Sequence, residues 1–369
     1  MRSVIARDPC KIYFERFIFM AALLIPAWFL NGARVFMVSA VSVGVCIAAD
    51  WVCCKVRKIP YDFKDYSVIF WGLAVSLVMP TSIPYVLSAF SAIICVVIGK
   101  HIFGGKENVV FSPPAIAAAF LIICYPSEML YFPKVGEIMP VFGEYGGTLV
   151  RDLDNTLKLG NVPSYSMLDI LMGRAPGAIG AVSILVIAVC AICMIIRHST
   201  SICAMLSCLG TVSLLAFLYP RIDVTPAESV FYELTSGYLL FGVVFLAAEP
   251  YILPKRRAAR IIYGIVLGYT TMMFRYFGQT EGCFLFALLI TNALTPGFDT
   301  IIDNLLYWKR SYISSFESSK NDAIRGNIKL TDTQEIQLPE KYRYNTPPID
   351  GKVKKHRRSK KHRGGDSDE

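Results

Sequence analysis

The residues that could do chemistry in this sequence are few and far apart. Cys190 and Cys193 make a Cys-x-x-Cys pair, but it lies inside an apolar run with no His or second pair nearby. Buried cysteine behaves as a small hydrophobe, and Cys46, Cys95, Cys124, Cys203, Cys208 and Cys283 share that setting. The pattern predicts helix packing and no metal site. His101, His198, His356 and His362 fall in expected loops or in the tail, so no His pair is set to hold a haem. Carboxylates remain, because an acid within a bilayer is costly and a functional candidate by default. Asp50, Glu249 and Glu281 fall near the ends of apolar runs, where an interfacial position is expected. Glu233 falls in the first turns of a later run. No Gly-x-Gly-x-x-Gly follows a strand-like segment, so the chain is not expected to bind NAD itself. No set of catalytic residues stands out.

The elements that must position these residues are membrane helices. Of 369 residues, 54% are hydrophobic and 18% charged, and the mean hydropathy is +0.49. Soluble domains run about 45–50% apolar and about 25% charged, which argues against a soluble enzyme, a disordered chain or a disulfide-built secreted domain. Apolar runs long enough for spans of roughly 20 residues recur between residues 13 and 298. The expected fold class is an all-α polytopic membrane protein with about ten transmembrane helices. They are placed at 14–32, 35–54, 66–79, 84–100, 109–125, 178–196, 200–219, 230–249, 259–275 and 282–297. No small-residue cleavage site follows the first run, so it is expected to stay as an anchor.

Charge gives the orientation. With the N-terminus inside, the even connections carry Lys55, Arg57, Lys58 and Lys64, then Lys100 and Lys106, then Arg197, then Lys255, Arg256, Arg257 and Arg260. The connection 126–177 holds six acids against four bases and belongs outside by the positive-inside rule. The expected organisation is a cytoplasmic N-terminus (1–13), a five-helix half (14–125), an extracytoplasmic loop (126–177) and a second five-helix half (178–297). An interfacial segment (298–315) and a disordered, basic cytoplasmic tail (316–369) follow. The basic run Lys352–Arg363 reads as solvated tail, with the lipid bilayer and no nucleic acid as partner.

The halves repeat. Gly72, Pro80 and Pro84 recur as Gly242, Pro250 and Pro254, an offset of 170. Phe103-Gly104-x-x-Glu107 recurs as Phe277-Gly278-x-x-Glu281, an offset of 174. Five helices per half is odd, so the two halves must be inverted, a pattern common in transporters. Proline interrupts helix hydrogen bonding, and irregular backbone at membrane depth persists only where protein buries it or a cavity adjoins it. The segments 79–84 and 248–254 are therefore candidate facing breaks, although the second is followed at once by Lys255-Arg256-Arg257 and reads better as a helix end.

Three motifs in order then carry a family resemblance. These are Ala248-Glu249-Pro250, Arg275-Tyr276-Phe277-Gly278-Gln279-Thr280-Glu281-Gly282 and Asn292-Ala293-Leu294-Thr295-Pro296. Phe111-Ser112-Pro113-Pro114-Ala115 and Gly173-x-x-x-Gly177-x-x-Gly180 add to them. Over about residues 15–305 the chain resembles the D subunit of the Rnf ion-translocating electron-transport complex and the B subunit of the sodium-pumping quinone reductase. Ser112 and Ala181 stand where the family has Asn and often Glu.

The resemblance implies FMN joined through its phosphate to a threonine of the outer loop, with riboflavin as a further candidate cofactor. Thr156 is the residue that fits, without the family's preceding Ser/Thr or following Pro. Lys158 would neutralise the phosphate, and Gly173, Gly177 and Gly180 would open helix six with free N–H groups that favour an anion. Asp152 and Asp154 lie beside Thr156 and would oppose one. The glycines have a second reading, close helix packing.

The expected function is a membrane flavoprotein subunit of an Rnf-type complex rather than a complete enzyme. It would relay electrons between ferredoxin and NAD, coupled to Na⁺ or H⁺ translocation, in the cytoplasmic membrane with other membrane and peripheral subunits. Two alternatives stay open: a non-redox secondary transporter or channel of the same fold, and a scaffold subunit without cofactor.

Overall fold

The computed structural model describes residues 9–331 apart from Lys106, Glu107, Glu144, Tyr145, Val182, Pro250 and residues 279–281. The chain divides into two compact units, Met1–Leu306 and Tyr307–Glu369. In the first unit α1 (Pro9–Ala21) and α2 (Leu24–Asn31) form one 22-residue apolar body, stepped where Pro26 disturbs the preceding turn. There follow α3 (Arg34–Val56), α4 (Ser67–Val78), α5 (Tyr85–Val96) with a π-helical turn at Val97–His101, and α6 (Pro113–Cys124). The long connection holds α7 (Pro126–Met129), an antiparallel ladder of β1 (Phe132–Pro133) with β2 (Leu149–Val150), α8 (Leu153–Lys158) and α9 (Met167–Met172). Then come α10 (Ile184–Ile196), α11 (Ile202–Leu218), α12 (Pro226–Thr235), α13 (Leu239–Phe241) running into a π-helical segment Gly242–Ala247, α14 (Arg257–Phe277) and α15 (Cys283–Thr331).

The protein is an all-α membrane protein, and each predicted helix has a helical counterpart. As spans they are uneven. Cys10–Asn31, Arg34–Val56 and Cys283–Trp308 are long and apolar enough to cross a bilayer, and the pair Pro226–Thr235 and Leu239–Ala247 would be a fourth, bent by 66°. The bend falls where Gly237 takes a left-handed φ of +61°. Helix α4 has 12 residues, about 18 Å at 1.5 Å per residue, against a hydrocarbon core of about 30 Å. Pro80 and Pro84, which donate no backbone N–H, fall in the break between α4 and α5; α4 and the helix Tyr85–His101 lie close to the expected 66–79 and 84–100.

Helix α4 is buried on every side, the mark of a central helix. It lies antiparallel to the α13–π segment: Trp71 reaches Glu249, while Leu77 and Phe241 both close on Gly180. Helices α11 and α14 pack through Gly264-x-x-x-Gly268, where an added Cβ would collide with Ser207 and meet the Cys208 carbonyl at 2.8 Å.

Helix α15 runs through the boundaries expected at 297 and 315. Pro296 sits inside it, Phe298 and Ile302 pack into the core, and no Gly or Pro falls between Phe298 and Arg325 to stop it. The second unit is helical to Thr331, and the basic run of the tail lies outside the described residues.

Candidate functional site

The long connection is docked by charge. Asp152 caps α8 by accepting from the Asn155 N–H at 3.1 Å. Two residues on, Asp154 turns inward and accepts from Arg221 Nη2 at 3.0 Å, with Arg275 Nε at 3.6 Å. Arg221 also grips Glu233 on α12, and Arg275 donates to the Glu233 Oε2 at 2.8 Å. Two guanidinium groups and two carboxylates thus close a buried neutral network. Burial works to raise the Asp154 pKa, but the guanidinium charges of Arg275 and Arg221 outweigh it and hold the carboxyl below its ordinary value. Burial alone would lower the Arg221 pKa, and Glu233 and Asp154 instead push it up.

Thr156 stands about 200° round α8 from Asp154 by helix geometry. It is half-buried, and its Oγ1 donates weakly to the Asp152 carbonyl at 3.4 Å. Lys158 ends the same helix. The acids beside Thr156 are thus committed, one to a cap and one to two arginines. The glycine run divides its labour. Gly173 ends α9 with φ +83°, Gly177 has open space around it, and Gly180 lies in a tight turn before α10. A Cβ on Gly180 would sit 2.8 Å from Leu77 and 2.9 Å from Phe241, so this glycine serves helix packing. Helix α10 starts at Ile184, so the run does not form its first turn, and the Ile179 N–H is spent on the Met79 carbonyl at 3.0 Å.

The hydroxyl is reachable and Asp154 is neutralised, which leaves room for a phosphate tether; Lys158 lies about 200° round α8 from Thr156, on the side of Asp154. An enclosed ring site does not fit. The cavity beside Asp152, Gly177 and Tyr238 holds about 20 Å³, and the one beside Asn31, Gly173 and Gly177 about 10 Å³. Neither Thr156 nor Lys158 lines them.

The two proline breaks sit with different connections. Arg34 donates to the carbonyls of Thr81 at 2.9 Å, Ile83 at 3.1 Å and Pro140 at 3.2 Å, tying the first break to the long connection. The second break joins residues 108–110 and Lys255, Arg256, Asn292 and Asp299 around a cleft of about 840 Å³. They are therefore not facing; the second is the connection between the π-helical segment and α14, with this cleft beside it. Asn292 is fully buried, accepts from the Tyr263 hydroxyl at 2.7 Å and leaves its amide nitrogen without a partner. Tyr251 and Phe103 add aromatic wall, and a volume of this size suits a small-molecule site.

Glu249, just after the π-helical segment, is fully buried, and Asp50 is 2% exposed, so both are enclosed by protein. Each is sheltered by polar partners that its own sequence surroundings do not announce. Tyr13 donates to Glu249 Oε1 at 2.6 Å and Trp71 Nε1 at 3.2 Å, while Oε2 has no partner. Arg16 donates to the carbonyls of Ser199, Ala248 and Phe245, closing the C-terminal end of the segment. Sequence reasoning missed Tyr13, Arg16 and Trp71; a basic residue among the apolar positions of α1 was the available signal. Glu281 and the Glu107 end of the repeat motif lie outside the described residues.

Comparison with known proteins agrees with this architecture. The profile of the NQR2, RnfD, RnfE family matches residues 6–307. The D subunit of the ion-translocating oxidoreductase complex of Stutzerimonas stutzeri is 26% identical over 262 residues, covering 64% of this chain and 74% of that protein. Its counterpart in Alcanivorax borkumensis is 24% identical over 298 residues, covering 76% and 86%. The D subunit of the proton-translocating ferredoxin:NAD(+) oxidoreductase complex of Clostridium ljungdahlii is 23% identical over 250 residues, covering 66% and 75%. With the match spanning the whole helical bundle up to the unit boundary, the chain belongs to the NQR2, RnfD, RnfE family of membrane proteins.

Proposed function

We propose that this chain is the D subunit of an Rnf-type complex and takes part in electron transfer between ferredoxin and NAD coupled to Na⁺ or H⁺ translocation. The observation that carries it is the family match over residues 6–307, joined to relatives named as the D subunits of such complexes. Both termini are cytoplasmic and the long connection is outside, in the cell membrane, as the basic even connections require. The partners are the membrane and peripheral subunits of the complex.

Thr156 carries FMN through a phosphoester. Bound flavin would supply the redox chemistry, while the protein holds and orients it. The small cavities near α8 leave the ring at the surface, open to a neighbouring subunit. The Arg221–Asp154 and Arg275–Asp154 contacts anchor α8 and so fix the tether. The 840 Å³ cleft suits a second, non-covalent flavin such as riboflavin, with the unpartnered Asn292 amide as donor to a ring carbonyl.

The halves are proposed to be inverted repeats. The 170 offset maps Trp71 and Glu249 onto Phe241 and Met79, and these two also meet a common turn, at Ile179–Gly180. The test of the flavin reading is ultraviolet fluorescence of the chain on a denaturing gel, from cells able to attach the cofactor. A fluorescent band that vanishes in Thr156→Ala is expected. Fluorescence that survives in the variant moves the tether, and a dark wild-type band favours a non-redox transporter or a scaffold.

A further inference from the structure

We propose that Asp50, Cys54 and His101 form a binding site for a divalent transition metal, with Zn²⁺ the expected occupant. The site is separate from the flavin reading and rests on the side chains alone. Asp50 and Cys54 are four residues apart, so they share one face of α3 a turn apart. His101 closes the π-helical turn after α5, a widened turn of the kind that often marks a functional position. That turn sits where Gly99 lets Pro113 of α6 approach, since an added Cβ would fall 2.8 Å from the Pro113 Cα. One carboxylate oxygen, one sulfur and one ring nitrogen then lie within 4.8 Å of one another. The Asp50 side chain is 3% exposed and that of His101 8%, so the cluster is largely shielded from water.

The donor set favours a dication. Thiolate, imidazole and carboxylate together suit Zn²⁺, and three protein ligands leave a fourth position for water. Lys100 donates to Asp50 Oδ1 at 2.7 Å and to Asp65 Oδ2 at 2.9 Å. A dication bound here displaces the Cys54 proton, which is released to solvent. Lys100 then holds the ligating carboxylate from outside, the usual arrangement around a metal. His101 Nε2 faces Asp50 Oδ1 at 2.8 Å, and Arg57 Nη1 approaches Nδ1 at 3.4 Å while donating to the His101 carbonyl at 3.0 Å. Metal on Nε2 moves the ring proton to Nδ1, and Arg57 keeps its carbonyl bond.

The test uses the full-length chain in detergent with Co²⁺ as probe. One Co²⁺ per chain is expected, with a thiolate-to-cobalt absorption in the near ultraviolet that equimolar Zn²⁺ removes. Cys54→Ser and His101→Gln should each lose the band, and Cys53→Ser should keep it, with elution volume reporting that each variant is folded. If Cys54→Ser aggregates, His101→Gln decides by the same band. A wild-type chain with no sulfur band, a band that outlasts loss of Cys54 or His101, or one removed by Cys53→Ser overturns the proposal.

Discussion

Arg221 shows how much a single side chain holds in this protein. It bridges Asp154 of the long connection and Glu233 of α12, so its removal leaves two buried carboxylates to Arg275 alone. Breaking a buried ion pair from one side costs about 3–5 kcal/mol. Arg221→Ala should therefore lower the thermal midpoint in detergent steeply. The Asp154 carboxyl is held below its unfolded value of about 3.9, so its contribution is present above that pH and is lost as pH falls through the folded value. Wild type should lose stability below about pH 4 for this reason, and Arg221→Ala should show a shallower fall, measured by thermal unfolding from pH 3 to 7. Little of this was legible beforehand. Asp154 looked like an obstacle to a phosphate at Thr156, because sequence cannot show that a base 67 positions away would take up its charge.

Helices in this chain are set by where they stop. Pro80 and Pro84 announce the first break in the sequence, and the structure has it. The π-helical turns were not legible, because no local signal marks them; the first lies where Gly99 lets Pro113 of α6 come close. Gly72 and Gly242 were legible as a pair, and both allow close approach: Gly72 meets the Val43 Cα at 3.0 Å, and Gly242 lies against the Phe284 ring. Gly242→Ala should destabilise by about 1–3 kcal/mol through overpacking. Gly44→Ala, with no atom within 4 Å of the new Cβ, should be neutral or stabilising by up to about 1 kcal/mol. Thermal unfolding of the two variants side by side separates a packing glycine from a spare one.

For the molecule as a whole, composition and charge pattern carried the class, and the order of motifs carried the family. What they could not carry was which polar groups the bundle would bury, since that depends on contacts between residues far apart in the chain. If reduction of flavin biases two arrangements of the halves, a cross-link between α4 and the α13–π segment should stop ion movement by the assembled complex while leaving bound flavin unchanged. Ion movement that persists in the cross-linked complex refutes that coupling. The Arg16 contacts also impose an order on biosynthesis. Its acceptors at Phe245 and Ala248 lie 229 and 232 residues downstream, a lag of about 10–50 s at a translation rate of roughly 5–20 residues per second. Until they are made, the Arg16 guanidinium, near the start of its helix, has to stay in water at the membrane surface and is drawn into the protein only as its acceptors arrive.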